Sequence, residues 1–138
     1  MNIDSIVNGI VIDHITAGKG MDIYELLNLN ALTCCVAIIK NVNSKKMGKK
    51  DIIKIDEDIS LNTDIIGFVD PGITVNIIKN GEITEKKSIE LPEKLVNVIK
   101  CKNPRCITST EQELAHIFNL TDKENRVYRC IWCESKAK

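Results

Sequence analysis

The chain of 138 residues carries 19 basic and 19 acidic side chains; that length holds one ordinary domain or two small ones, and the balanced charge provides no overall field to draw nucleic acid or an acidic membrane. No apolar run approaches the roughly 20 residues that span a bilayer, and the opening "MNIDSIVNGIVIDHI", interrupted by Asp4, Asn8 and Asp13, lacks the basic-then-apolar plan of a signal peptide. The expectation is a cytoplasmic protein with no membrane and no nucleic-acid partner, whose six cysteines are reduced or metal-bound rather than paired as disulfides.

In chain order, "IVNGIVIDHIT" over 6–16 reads as a strand with a bend at Gly9. "GMDIYELLNLN" changes period: Ile23, Leu26, Leu27 and Asn30 recur at helical spacing behind the acidic Asp22 and Glu25, which suit a helix N-terminus. "TCCVAIIKNV" and "KKDIIKID" read as two strands joined by the polar loop "NSKKMGKK". In "LNTDIIGFVD", Asn62 is a candidate N-cap, Ile65, Ile66 and Val69 share a side, and Pro71-Gly72 ends the helix. "ITVNIIKNGEITEKKSIEL" is a hairpin, because Asn80-Gly81 supplies the positive-φ pair of a tight turn between alternating strands.

The order strand, helix, strand, strand, helix, strand, strand predicts an α+β fold: a split-βαβ (ferredoxin-like) antiparallel sheet with one extra strand and two helices on one face. After "LPEKL" the composition shifts towards cysteine and polar residues, so the N-terminal domain is expected to span residues 1–91 and a small zinc-ribbon-like β domain residues 92–138.

Cys101 and Cys106 have four residues between them, Cys130 and Cys133 two, and the pairs are separated by 23. Two short-range thiolate pairs suit the tetrahedral preference of zinc, and four protein ligands leave no open position, so the site reads as structural. A unit of roughly 48 residues builds too little core alone, and the metal would supply the missing folding free energy. Two disulfides, or a redox pair at Cys130-Cys133, are the alternatives. Cys34 and Cys35 are expected as small buried hydrophobes in a strand, and His116 as a polar loop or surface residue.

Asp13 and His14 interrupt an apolar strand. In a regular strand they face opposite sides, so no direct dyad is expected, and no nucleophile-base pair accompanies them. Lys50 and Lys54, four apart, share a face of their strand and can meet the carboxylate; Lys86 is a third candidate. Converging lysines suit phosphate oxygens, yet neither a Walker loop nor a dinucleotide glycine fingerprint occurs, so a nucleotide would be sensed rather than consumed. The residues alone leave other readings open: solvated lysines around a satisfied core Asp and His, a small enzyme with His14 as general base, or a zinc-ribbon nucleic-acid-binding protein. The last is motivated by Arg105, Arg126 and Arg129 and opposed by the nearby Glu111, Glu113, Asp122, Glu124 and Glu134.

Taken together, "GIVIDHI", "MGKKDIIKI", "TVNIIKNGE", "LPEKLVNVIKCKNPRC" and "YRCIWC" resemble the regulatory chains of aspartate carbamoyltransferase over nearly the whole length. The resemblance implies a non-catalytic subunit that binds CTP and ATP, forms homodimers and sets the activity of a separate catalytic chain, docked through the zinc domain. Carried onto matching positions, Asp13 would contact the base or ribose with His14 close by. Lys54 and Lys86 would meet ribose and phosphates, with Lys50 and Asn76 adjacent. Ile3, Ser5 and Ile6 would line the site from the N-terminal arm and Ile83 from the hairpin. One Zn2+ per chain would sit on Cys101, Cys106, Cys130 and Cys133. At Gly81 the best-known members carry a large aromatic residue.

Overall fold

The computed structural model describes residues 6–137, divided into two compact units, Met1–Glu90 and Leu91–Lys138. In the first unit β1 (Gly9–Thr16), α1 (Gly20–Leu26), β2 (Val36–Ser44), β3 (Gly48–Ile55), α2 (Thr63–Val69), β4 (Thr74–Lys79) and β5 (Glu82–Ser88) follow the expected order. The strands form one antiparallel sheet in the order β2-β3-β1-β4-β5. Because β3 lies between β1 and β2, the β1-α1-β2 crossover is split, as the α+β reading requires.

Strand alternation selects the core. Ile10, Ile12 and Ile15 of β1, Ile53 and Ile55 of β3, and Val75 of β4 meet Ile23 of α1, Ile66 of α2, Leu29, Ile73 and Ile89 in one buried cluster. β-Branched isoleucine fits both demands here, an extended backbone and a dry interior. Asn62 caps α2 by accepting the Asp64 N–H at 3.0 Å, an interaction worth about 1 kcal/mol. Asn80 and Gly81 turn the β4–β5 hairpin with φ of 53° and 79°, the left-handed pair expected of a two-residue turn.

Three local expectations are corrected. α1 stops at Leu26, and Asn28 at φ 55° starts a short 3-10 turn, Leu29–Ala31. This turn buries Leu29 and leaves Leu26 exposed, so a single helical face does not extend through Asn30. Cys34 and Cys35 precede β2 rather than lying in it; Cys34 is half-buried against the core edge and Cys35 is exposed. The third is in β1. Ile12 pairs with Ile53 and Ile15 with Asp51, three steps on β1 against two on β3, so Asp13 and His14 form a bulge and the strict alternation assumed for them fails. The extra residue returns Ile15 to the core, where it is fully buried.

The second unit is a three-stranded antiparallel sheet, β6 (Lys94–Val96), β7 (Ile117–Asp122) and β8 (Val127–Cys130), in that order. Its buried interior comprises Leu95, Phe118 and Tyr128 with Cys106, Cys130 and Thr108. The Tyr128 hydroxyl donates to the Pro92 carbonyl at 2.6 Å, which satisfies the polar end of an otherwise buried ring.

Gly9 is where β1 enters the sheet. A Cβ there would lie 2.2 Å from the Ile55 carbonyl oxygen and 2.8 Å from Ile6 Cγ2. Gly9→Ala is therefore expected to destabilise the first unit by about 1–3 kcal/mol through overpacking. Thermal denaturation followed by circular dichroism checks it, and an unchanged melting temperature would show that the β1–β3 contact yields freely.

Candidate functional site

The face of the five-stranded sheet opposite the helices holds the ionisable residues singled out above. Directly paired residues share a face, so Lys54, Val11, Asn76 and Lys86 form one row across β3, β1, β4 and β5. Ile53 and Ile55 point to the core, which places Lys54 and, four residues back, Lys50 on the other side. Lys50 Nζ lies 2.9 Å from Asp13 Oδ1. Asp13 pairs with Thr74 of β4, two residues from Asn76.

The bulge shapes the centre of this face. His14 sits at φ 61°, a left-handed backbone that non-glycine residues rarely adopt, and its N–H donates to Asp13 Oδ1 at 2.6 Å. The Asp13 carboxylate thus serves the lysine and the turn together. Burial by itself raises its pKa, but the hydrogen bond and charge of the Lys50 ammonium, with the amide and ring of His14 beside it, outweigh that and hold it below 3.8. Two atoms remain without a partner among the described residues: His14 Nδ1 and Asn76 Oδ1, both buried.

Ile6 is buried against Gly9, and Ile83 on β5 is exposed and pairs with Ile78. Ile3 and Ser5 lie outside the described residues. The structure thus brings Asp13, His14, Lys50, Lys54, Asn76 and Lys86 to neighbouring positions of one sheet. Sequence reasoning missed the bulge itself, although its trace is visible: the isoleucines run 10, 12, 15 where alternation demands 14. It also missed Asp51, a carboxylate at a core position of "DIIKI".

The second candidate site is the sulfur cluster. The ligand atoms of Cys101, Cys106, Cys130 and Cys133 all lie within 4.8 Å of one another, with Cys101 Sγ 3.5 Å from Cys133 Sγ and Cys106 Sγ 3.7 Å from Cys130 Sγ. A tetrahedron with zinc–sulfur bonds of about 2.3 Å has edges of about 3.8 Å, so the donor set fits such an ion with little rearrangement. All six cysteines are free thiols and no disulfide is formed, and Cys130 and Cys133 sit at the end of β8 and in the turn after it rather than at a helix start.

Neighbouring groups tune the thiols apart. Burial, with crowding by the other three sulfurs, pushes Cys101 up to about 12, and burial also raises Cys130. At Cys133 the hydrogen bond from the Ser135 hydroxyl, helped by the Ser135 amide and Asn103, draws the thiol down to about 6. Four sulfurs this close cannot all ionise without a cation between them. Asn103 links the knuckles, since its Nδ2 donates to Ser135 Oγ at 3.1 Å and its carbonyl accepts the Cys106 N–H. His116, half-buried rather than free on the surface, accepts the Cys101 N–H on Nδ1 at 3.1 Å.

Fold and cluster together define the class: a two-unit chain in which a split βαβ sheet precedes a four-cysteine metal-binding unit. Residues 1–90 match the family "aspartate carbamoyltransferase regulatory chain, allosteric domain" and residues 93–138 the family "aspartate carbamoyltransferase regulatory chain, metal binding domain". Relatives named aspartate carbamoyltransferase regulatory chain include those of Clostridium botulinum, 51% identical over 97% of this chain and 92% of the relative, and Clostridium tetani, 50% identical over 100% and 96%. That of Bifidobacterium longum is 43% identical over 100% and 99%. The chain belongs to the aspartate carbamoyltransferase regulatory chain family. It is accordingly a regulatory and not a catalytic chain, and a catalytic chain is its implied partner. No helix among the described residues is long and apolar enough to cross a membrane.

Two predictions follow from the two clusters. Asp13 has a depressed pKa in the folded chain, so its pairing stabilises above about pH 3.8, the unfolded value, and is lost as pH falls through the lower folded value. Lys50→Met should move the Asp13 carboxyl titration upward in carbon-13 NMR; an unmoved titration would deny the ion pair. Chelation of the metal should abolish amide protection in Leu91–Lys138 while Met1–Glu90 keeps its own, because the first unit alone has a large core. Simultaneous loss in both units by hydrogen exchange would contradict this.

Proposed function

We propose that the sheet face carrying Asp13, His14, Lys50, Lys54, Asn76 and Lys86 is an allosteric nucleotide site for CTP and ATP, and that the ion on the four cysteines is Zn2+. In this reading residues 1–91 form the effector domain and residues 92–138 dock on the catalytic chain of aspartate carbamoyltransferase in the cytoplasm, with regulatory chains paired as homodimers. Ile6 and Ile83 flank the base, and family resemblance adds Ile3 and Ser5.

The observation that carries the reading is the pair of unpartnered buried atoms, His14 Nδ1 and Asn76 Oδ1. A buried polar group left unsatisfied costs about 1–3 kcal/mol, and the polar edge of a base or the hydroxyls of a ribose would offset that cost. An asparagine side chain offers both donors and an acceptor, so it can serve more than one base. Around these atoms Lys50, Lys54 and Lys86 share one face of the sheet, ammonium groups of the kind that suit phosphate oxygens.

Such a site controls a distant reaction without reacting groups of its own. A nucleotide shifts the assembly only by its differential affinity for two states, a coupling of typically about 1–3 kcal/mol. CTP and ATP can share one site and still act differently if each favours a different state. Of the arginines that motivate the nucleic-acid alternative, Arg129 is engaged with the Glu134 carbonyl at 3.0 Å.

Calorimetric titration of CTP and ATP into the metal-loaded chain tests the proposal. Competitive binding is expected, and Lys86→Ala should weaken it roughly tenfold or more, the value of one charge-assisted contact of about 1.5–3 kcal/mol. Metal content should not change. Equal affinity in the variant would remove Lys86 from the site.

A further inference from the structure

Asp51 is fully buried on β3, and its three hydrogen bonds all come from backbone amides. Its Oδ2 accepts the N–H groups of Gly18, in the turn between β1 and α1, at 3.0 Å and of Gly20, the first residue of α1, at 3.1 Å, and its Oδ1 accepts the N–H of Asn41 on β2 at 3.0 Å. Position 20 must be small for this approach, since a Cβ there would lie 2.9 Å from Oδ2. One carboxylate therefore ties together segments on both sides of β3.

Its position relative to the two irregularities of the sheet is specific. The β1 bulge at Asp13–His14 falls between the pairs Ile12–Ile53 and Ile15–Asp51, and so lies against Ile52. β2 has an irregularity of its own, between the pairs Ile39–Ile52 and Val42–Lys50. It lies against Asp51 and contains Asn41 at φ 58°. Consecutive residues of β3 thus face one bulge in the proposed nucleotide site and another in β2, an edge strand of the sheet. The residue before Asp51 is Lys50, which holds Asp13 from the opposite face. Downstream of the bulge β1 is clamped again, because Asp70 Oδ2 accepts the Thr16 N–H at 2.7 Å.

We infer that Asp51 is a positioning residue for the effector site, one that fixes the Asp13–His14 bulge for a nucleotide and couples its occupancy to the β2 edge. The inference rests on the reading of the opposite face as a nucleotide site. The physical basis is satisfaction of a buried charge: the two oxygens of the fully buried carboxylate are served by three backbone amides, that of Gly20 itself buried, so neither segment can shift without leaving the carboxylate short of a donor. A ligand that tightens Asp13, His14 and Lys50 from one face restricts β3 at residue 50, and residue 51 carries that restriction to Gly18, Gly20 and Asn41. Because such coupling is reciprocal, loosening those amides must weaken the nucleotide.

Hydrogen exchange on the full, metal-loaded chain with and without saturating CTP tests this directly. CTP should slow exchange at the amides of Asp13 to Ile15 and, at least about fivefold, at Gly18, Gly20 and Asn41, the lower end of coupling between linked sites. Slowing at 13–15 alone would overturn the role of Asp51 and leave the nucleotide site standing; no slowing anywhere and no binding heat would overturn both. In a second arm, Asp51→Asn keeps the shape but offers one acceptor oxygen. Measured where both proteins are folded, it should bind CTP at least about fivefold more weakly and exchange faster at Gly18 and Gly20 or at Asn41. Wild-type affinity in the folded variant would overturn the inference, because a residue that only supports the fold would lower the melting temperature without moving effector affinity.

Discussion

A strand with one buried face can keep its side chains alternating only while its register holds, and β1 gives up that register once, at Asp13–His14. The extra residue has two effects. It returns Ile15 to the interior beside Ile10 and Ile12, so the core stays closed. It also removes His14 from the ladder and holds it in a left-handed backbone beside Asp13. A bulge leaves one residue without a ladder partner, and here that residue carries a buried ring nitrogen with no hydrogen bond among the described residues. The effector site in our reading is thus the place where β1 departs from regularity, and its neighbours Lys50, Lys54, Asn76 and Lys86 are presented by β3, β4 and β5.

The two units solve the problem of small size differently. The first closes an isoleucine-rich interior between sheet and helices. Among the described residues the second has three large fully or nearly fully buried side chains, Leu95, Phe118 and Tyr128, around two of its four clustered cysteines. Its sulfurs are arranged so that, in the absence of a cation, one thiol is pushed up and another drawn down. A divalent ion resolves that conflict by favouring thiolate at all four, which is why metal binding and folding are one event in such units. Asn103, Ser135 and His116 hold the knuckles through hydrogen bonds to one another and to backbone amides, the outer support that orients ligands.

Electrostatics at the sheet face are local. The chain carries as many acids as bases, so attraction of a polyphosphate cannot come from net charge. In our reading it comes from register: pairing across β3, β1, β4 and β5 places Lys54 and Lys86 in one row with Asn76 between them, while Asp13 pairs with Lys50. A one-residue slip of β3 or β5 would send those lysines to the other face. In our reading the Asn80-Gly81 turn therefore also serves the site, because together with the register shift between Ile77 and Ile78 it brings Lys86 opposite Asn76.

Much of this was legible from residues alone, because period and punctuation are local properties. The strand-helix order, the Asn62 cap, the Asn80-Gly81 hairpin and the four-cysteine pattern each depend on neighbours within a few positions, and the resemblance of the ordered motifs pointed to the family. What sequence could not decide depended on contacts between distant segments. Whether "IVIDHI" alternates or bulges is settled by the strand it pairs with, and whether Leu26 or Leu29 is buried depends on a turn at Asn28. Cys34 and Cys35 lie outside β2 because the ladder to β3 starts only at Val36. Nothing local in "KKDIIKID" marks Asp51; only the folded chain brings the amides of Gly18, Gly20 and Asn41 to it. Local free energy chooses elements, and the requirement that every buried polar group find a partner chooses among their arrangements.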